Sequence, residues 1–166
     1  METAKTSLAV QRAQQLLSQM TLEEKAAQMV QISFADTDPE EALVWAQRGV
    51  GSFLHVLGDD ARRLQAAARG NRLGIPLLFG IDATHGHGLN KNGEIFPAQL
   101  GMAASFNEEL VRQAAEITAA QVREDGLHWT FSPLLCLGRD LRWGRVNETF
   151  GEDKYLAGRL GAALVK

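Results

Sequence analysis

The chain has 166 residues, of which 45% are hydrophobic and 22% charged, and this composition is typical of a soluble globular domain with enough apolar material for a core. A formal net charge of −3 without a basic run argues against a nucleic-acid partner. No apolar run approaches the roughly 20 residues of a transmembrane helix, so we expect no membrane partner. The N-terminus lacks the pattern of a signal peptide, which favours the cytoplasm for this chain and leaves a periplasmic or secreted parent protein open.

The first third of the chain predicts three helices, over residues 8–20, 21–31 and 38–49. The first shows a modest helical spacing of apolar residues. The second begins with a capping box, in which the side chains of Thr21 and Glu24 each bond the other's backbone N–H. An Asp-Pro pair starts the third helix, and a glycine ends it.

Strands and helices alternate in the rest of the chain. Short runs of apolar, often β-branched or aromatic residues predict strands at 50–56, 76–81, 101–104 and 128–133. Helical patterns lie at 59–74, at 107–126 and from Tyr155 onward. This alternation predicts an α/β fold, with a parallel sheet and right-handed helical crossovers.

Two polar segments directly follow predicted strands. Residues 82–97 read DATHGHGLNKNGEIFP, and residues 138–153 read GRDLRWGRVNETFGED. Loops on a rigid scaffold are where binding groups concentrate. A doubly wound sheet usually carries a glycine fingerprint after its first strand, which residues 55–58 lack. In a (β/α)8 barrel the loops that follow the strands share one end, and a full barrel takes about 250 residues. We therefore predict that residues 1–166 are a single, truncated domain, the N-terminal half of such a barrel.

Four motifs, in this order and spacing, resemble the N-terminal barrel of glycoside hydrolase family 3 of the β-glucosidase type. They are Ile81-Asp82-x-x-His85-Gly86, Phe96-Pro97, Phe131-Ser132-Pro133 and the segment from Arg139 to Asp153. The resemblance runs from about Leu17 to the end of the chain. It implies a hydrolase of β-linked glucosides or oligosaccharides that retains configuration through a covalent glycosyl-enzyme and needs no cofactor.

The resemblance also assigns site residues. It implies that Asp82 and Arg145 grip hydroxyls of the sugar at the cleavage site, and that His85 mainly orients the loop. A carboxylate accepts bonds from neighbouring hydroxyls, and a guanidinium donates to them in a fixed fork. The nucleophile and the acid/base are expected beyond Lys166, so we predict no catalytic residue in this chain and no activity of the chain alone. Lys154 stands where relatives commonly carry proline, a mild departure.

Other polar and aromatic residues have structural interpretations that we favour over functional ones. We expect Arg142 to form an ion pair within its loop and Trp143 to be a packed anchor instead of a sugar-stacking ring. His55 and His128 lie within or beside strands and are expected to be structural. The single cysteine, Cys136, excludes an internal disulfide and is expected to be a small core residue.

Two rival functions stay open. One is a metal-dependent barrel hydrolase, because His85 and His87 form an H-x-H pair after a strand, with Asp82 nearby. It would need further ligands from later strands. The other is a non-catalytic half-barrel, which would expose sheet edges and apolar positions, and would self-associate or pair with the missing half.

Overall fold

The computed structural model describes residues 2–166, in which seven α-helices and four short strands alternate. The helices are α1 (Glu2–Gln19), α2 (Leu22–Gln28), α3 (Pro39–Gln47), α4 (Gly58–Arg69), α5 (Gln99–Ala103), α6 (Glu108–Glu124) and α7 (Lys154–Val165). The strands are β1 (Gln31–Ser33), β2 (Ser52–Leu54), β3 (Leu78–Ile81) and β4 (Trp129–Thr130). In this part of the chain no helix combines the length and the apolar composition needed to cross a bilayer.

The strands form one parallel sheet in the order β1-β2-β3-β4, which is also their order along the chain. Ile32 lies opposite Phe53 in the pairing of β1 with β2, and Ile81 lies opposite Thr130 in the pairing of β3 with β4. Helices connect successive strands, so the predicted parallel sheet with helical crossovers is confirmed. Sequential parallel strands with helices between them are the building plan of a (β/α)8 barrel.

The chain divides into two compact units, residues 1–79 and 80–166. In the first unit, the Thr21 hydroxyl accepts from the Glu24 N–H at 3.2 Å, and the Glu24 carboxylate accepts from the Thr21 N–H at 2.9 Å. This confirms the predicted capping box. The apolar residues of this unit that are fully or almost fully buried are Ala42, Ala46, Val50, Phe53, Val56, Ala61, Leu64, Ala68, Leu77 and Phe79.

The second unit is built around α6 and α7. Asn107 caps α6 by accepting from the backbone N–H of Glu109 at 3.0 Å. The core cluster of the second unit comprises Met102, Ala103, Val111, Phe150, Ala157 and Leu160. Because Phe150 belongs to this core, the second polar segment is anchored in the unit near its C-terminal end.

Three details of the sequence interpretation are wrong. Residues 101–104 were predicted as a strand, but Gln99–Ala103 form the short helix α5, since brief apolar runs do not distinguish strand from helix by periodicity. The helix predicted over 21–31 ends at Gln28, because residues 31–33 form the unpredicted strand β1. The helix predicted to end at Gly74 ends at Arg69.

Gly51 directly precedes β2, and a substitution at this position tests the packing of the first unit. A Cβ at this position would lie 2.1 Å from the backbone oxygen of Gln28. We expect Gly51→Ala to lower the free energy of unfolding by about 2–3 kcal/mol, because backbone has to move to relieve the overlap. Urea denaturation measures the effect.

The matched control is Gly158→Ala, at an exposed helical position where a Cβ meets nothing within 4 Å. This substitution should raise the free energy of unfolding by about 0.5–1 kcal/mol, because alanine loses less backbone entropy than glycine. Equal midpoints for Gly51→Ala and the wild type would contradict the packing described here.

Candidate functional site

Asp82 is the first residue after β3, and its side chain is exposed. The next residue, Ala83, donates its backbone N–H to the hydroxyl of Thr130 at 3.1 Å. Thr130 is the last residue of β4, so this bond ties the ends of the two strands together. The chain segments that leave these ends therefore start side by side. They lead into residues 82–97 (the Asp82 loop) and residues 134–153 (the Arg145 loop).

Arg145 forms a two-point ion pair with Glu148. Its Nε lies 2.9 Å from Oε1 and its Nη2 lies 2.6 Å from Oε2. This pair raises the pKa of Arg145, and the carboxylate of Asp82 adds a smaller rise. The coupling of Arg145 to Asp82 is therefore weak beside its ion pair with Glu148. The bonds to Glu148 use two of the five guanidinium N–H donors, which leaves three to face other groups.

His85 is exposed and held by the backbone of the same loop. Its Nδ1 lies 2.8 Å from the carbonyl oxygen of Phe96, and the Phe96 N–H donates to the His85 carbonyl, also at 2.8 Å. A carbonyl only accepts, so Nδ1 carries the proton in this arrangement. Hydrogen bonding to Arg145 is the main cause of the lowered pKa of Glu148, and His85 contributes to the same shift. Weak electrostatic couplings thus link Asp82 to Arg145 and His85 to Glu148.

The Asp82 loop turns back on itself at a close backbone approach. Gly86 adopts φ +110°, and a Cβ on it would lie 2.1 Å from the carbonyl oxygen of Glu94. Gly86 also forms an antiparallel bridge with Ile95. Any side chain at position 86 would push the two arms of the loop apart, which explains why glycine stands between His85 and His87.

His85 and His87 do not share a ligand position. His87 is fully buried, and its Nε2 lies 2.7 Å from Oδ2 of Asp125, whereas the exposed His85 bonds Phe96. Within residues 2–166, no group of three or more histidine, cysteine or acidic side chains is arranged to hold a metal ion. The geometry thus gives the metal-hydrolase interpretation no support.

The predicted ion pair of Arg142 is confirmed, because its Nη2 lies 2.6 Å from Oδ2 of Asp140. This pair lowers the pKa of Asp140. Trp143 retains 36% of its accessible surface, more than the prediction of a packed anchor implies. The prediction that Cys136 is a core residue is wrong, because its side chain is exposed.

Two buried or half-buried residues near the site were missed by sequence reasoning. The side-chain amide of Gln99, which is 1% exposed, bonds both the N–H and the carbonyl of Leu134, at 2.9 and 3.0 Å. Asp125 accepts from His87 and Asn90 across 38 and 35 residues. Gln99 holds the start of the Arg145 loop by hydrogen bonds, and Asp125 holds the Asp82 loop in the same way. The sequence carried no local signal for Gln99, which begins α5 and precedes the run interpreted as a strand over 101–104.

Residues 21–166 match the sequence profile of the family described as glycosyl hydrolase family 3 N terminal domain. The chain therefore belongs to this family, as the motifs predicted.

Relatives support the assignment. A periplasmic β-glucosidase from Salmonella typhimurium is 38% identical over 155 residues, 91% of this chain and 20% of that protein. The structure of a β-glucosidase from Listeria innocua in complex with glucose superposes with a TM-score of 0.80 at 40% identity, covering 93% of this chain and 23% of that one. A β-glucosidase involved in saponin metabolism from intestinal bacteria gives 0.79 at 46% identity, over 92% and 20%. The chain spans about a fifth of the length of these relatives.

The ion pair between Arg145 and Glu148 predicts a specific titration. The pKa of Glu148 is lowered in the folded state, so the pair stabilises the loop above the carboxyl's unfolded pKa, about 4.3, and is lost as the pH falls through the lower folded value. We expect Arg145→Ala to raise the pKa of Glu148, and Arg145→Lys to raise it less, because lysine keeps the charge without the fork.

Carboxyl-detected NMR titration of the wild type and both variants measures these shifts. Asp140 is the internal control, since its lowered pKa depends on Arg142. Its titration should move in Arg142→Ala and stay unchanged in Arg145→Ala. A Glu148 titration that Arg145→Ala leaves unchanged would contradict the pairing.

Proposed function

We propose that this chain forms part of the sugar-binding pocket of a β-glucosidase-type glycoside hydrolase that acts on β-linked glucosides. In this proposal Asp82 accepts hydrogen bonds from sugar hydroxyls, Arg145 donates to them, and His85 holds the loop between them. The observation that carries the proposal is the hydrogen bond between the ends of β3 and β4, which starts the chain segments leading to Asp82 and Arg145 side by side, together with a weak electrostatic coupling of the two side chains.

The chemistry of the two side chains suits a sugar. Asp82 is exposed directly after β3, and the next residue is hydrogen-bonded to the neighbouring strand, so its backbone is held in place. The guanidinium of Arg145 is oriented by Glu148 and has three further N–H donors. An acceptor and a rigid donor that face the same space can bond adjacent hydroxyls of one ring. The solved relative from Listeria innocua was crystallised with glucose, which supports this ligand class.

We also propose that the covalent chemistry is supplied from outside residues 1–166. Retaining glycosidases use two carboxyl groups about 5–5.5 Å apart, one as nucleophile and one as acid/base. Glu148 is a poor general acid, because its lowered pKa keeps it ionised near neutral pH and Arg145 occupies both its oxygens. In this proposal Asp82 binds the sugar and Glu148 holds the loop, so these two carboxylates are not the catalytic pair. In this view the 166 residues belong to a single barrel domain whose catalytic carboxylates follow Lys166.

Self-association is the second part of the proposal. β4 is at one end of the strand order, and Trp129 and the following Phe131 keep 43% and 39% of their surfaces exposed. Their rings are stacked at a tilt, with centroids 4.5 Å apart. An edge strand with exposed aromatic rings is a template for pairing with another chain, either a second copy or the remainder of a barrel.

We expect the wild-type chain to show concentration-dependent dimers or larger species at tens of micromolar in sedimentation velocity. Phe131→Asp should shift the distribution toward monomer, because it adds a charge beside the proposed contact. Leu141→Asp is the matched control, since Leu141 is 86% exposed in the Arg145 loop, and it should leave association unchanged. A wild type that remains monomeric at these concentrations would rule out self-association.

The activity proposal is tested with an aryl β-glucoside. We expect no turnover from residues 1–166 alone, and turnover when the C-terminal remainder of a family 3 β-glucosidase is supplied. In the complemented enzyme, Asp82→Asn should lower kcat/KM by about 10²-fold, because hydrogen bonds to a charged group are replaced by weaker neutral ones.

The control is Asp140→Asn, which changes an exposed carboxylate that pairs with Arg142 within the Arg145 loop. It should retain kcat/KM within about twofold. Turnover by the chain alone that is lost in Asp82→Asn would show that the catalytic groups lie within these residues. Equal effects of the two substitutions would remove the sugar-binding role of Asp82.

A further inference from the structure

The C-terminal cap of α6 is an acidic residue, Asp125. The last turn of a helix carries a partial negative charge, which disfavours a carboxylate at this position. Local helix energetics therefore do not account for Asp125. A contact outside the helix can offset this unfavourable interaction.

That contact is made by the Asp82 loop. A single oxygen of Asp125, Oδ2, lies 2.7 Å from Nε2 of His87 and 2.6 Å from Nδ2 of Asn90. Because a carboxylate only accepts, His87 donates through Nε2. His87 is fully buried and Asn90 is half-buried, so water competes weakly for these bonds. Asp125 thus fixes the outer turn of the loop to the end of α6.

A second acceptor lies one helical turn earlier on the same face of α6. The side-chain oxygen of Gln121 accepts from the backbone N–H of Glu94 at 3.0 Å. Residues four apart in a helix are neighbours on its surface, so Gln121 and Asp125 form a short row of acceptors. The loop is therefore held on both of its arms, at His87 and Asn90 on the outgoing arm and at Glu94 on the returning arm.

The hydrogen bonds from α6 to the two arms of the loop also constrain the proposed sugar-binding residues. Gly86 bridges to Ile95, and His85 is bonded to Phe96 through both its backbone oxygen and its ring. His85 is therefore fixed relative to the arms that α6 holds, and Asp82 lies three residues before it. Displacement of either arm would shift the side chains that face the sugar.

We propose that Asp125 and Gln121 are positioning residues, which place the Asp82 loop for sugar binding without touching the sugar. The proposal rests on the proposed function, since it concerns the same pocket. A displacement of about 1 Å in a positioned group can lower activity by about 10²-fold, so residues beyond contact range can set affinity.

The test uses the 166-residue chain, labelled with ¹⁵N, and compares Asp125→Ala with Glu124→Ala, its exposed neighbour in the last turn of α6. Two readouts are measured: amide hydrogen exchange at Glu94 and Phe96, and the shift changes that glucose causes. We expect Asp125→Ala to speed exchange at both amides and to weaken glucose binding, each by about tenfold or more. Exchange at Val122, inside α6, should remain slow, which separates displacement of the loop from general destabilisation.

Asp125→Asn supplies the rescue. Asparagine keeps an oxygen that can accept from His87 or Asn90, so exchange and glucose affinity should return most of the way to the wild type. Unchanged exchange at Glu94 and Phe96 in Asp125→Ala, or equal changes in Glu124→Ala, would overturn the positioning role. If Asp125→Ala does not fold, Gln121→Ala gives the same comparison at Glu94.

The outcomes also separate this inference from the proposed function. A wild type that does not respond to glucose at tens of millimolar would refute sugar binding by the chain alone. The exchange data would still decide whether α6 positions the loop. Faster loop exchange in Asp125→Ala with unaltered glucose affinity would refute the link between loop position and sugar binding.

Discussion

The parallel pairing of β3 with β4 is the constraint on which the site depends. Residues 80 and 81 pair with residues 129 and 130, and the Ala83 N–H extends the contact to the Thr130 hydroxyl. Since parallel strands run in the same direction, the chain leaves both strands at the same end. Two loops that are about 50 residues apart in the chain thus begin side by side, and their polar residues can act on one ligand.

Arg145 supplies the positive charge of the candidate site. It is ion-paired with Glu148 within its own loop and is influenced only weakly by the carboxylate of Asp82 in the other loop. A guanidinium can serve such a role because its donors are fixed in a plane and its charge persists across the physiological pH range. Orientation by one carboxylate leaves other donors for a ligand. The proposed sugar-binding function depends on this division of the donors.

One buried and one half-buried polar side chain hold the two loops by hydrogen bonds. Gln99 bonds the backbone of Leu134 at both polar atoms, and Asp125 bonds His87 and Asn90. Unsatisfied polar groups are costly in such surroundings, so the bonds of Gln99 and of His87 Nε2 favour one position of each loop, although Nδ1 of the buried His87 has no hydrogen-bond partner. The exposed ion pairs of the Arg145 loop add little by comparison, because water screens them.

The amino-acid sequence by itself determined the features that depend on neighbours within a few residues: the capping box at Thr21, the start of α3 at an Asp-Pro pair, and the family motifs around Asp82 and Arg145. The tertiary structure alone decided three others. The strand 31–33 is too short to show a pattern and exists because it pairs with β2, whereas residues 101–103 form a helix whose buried side chains join the core of α6 and α7. Asp125 looked like part of a helix end, because its partners lie 35 and 38 residues away, and only folding brings the carboxylate to the loop it holds.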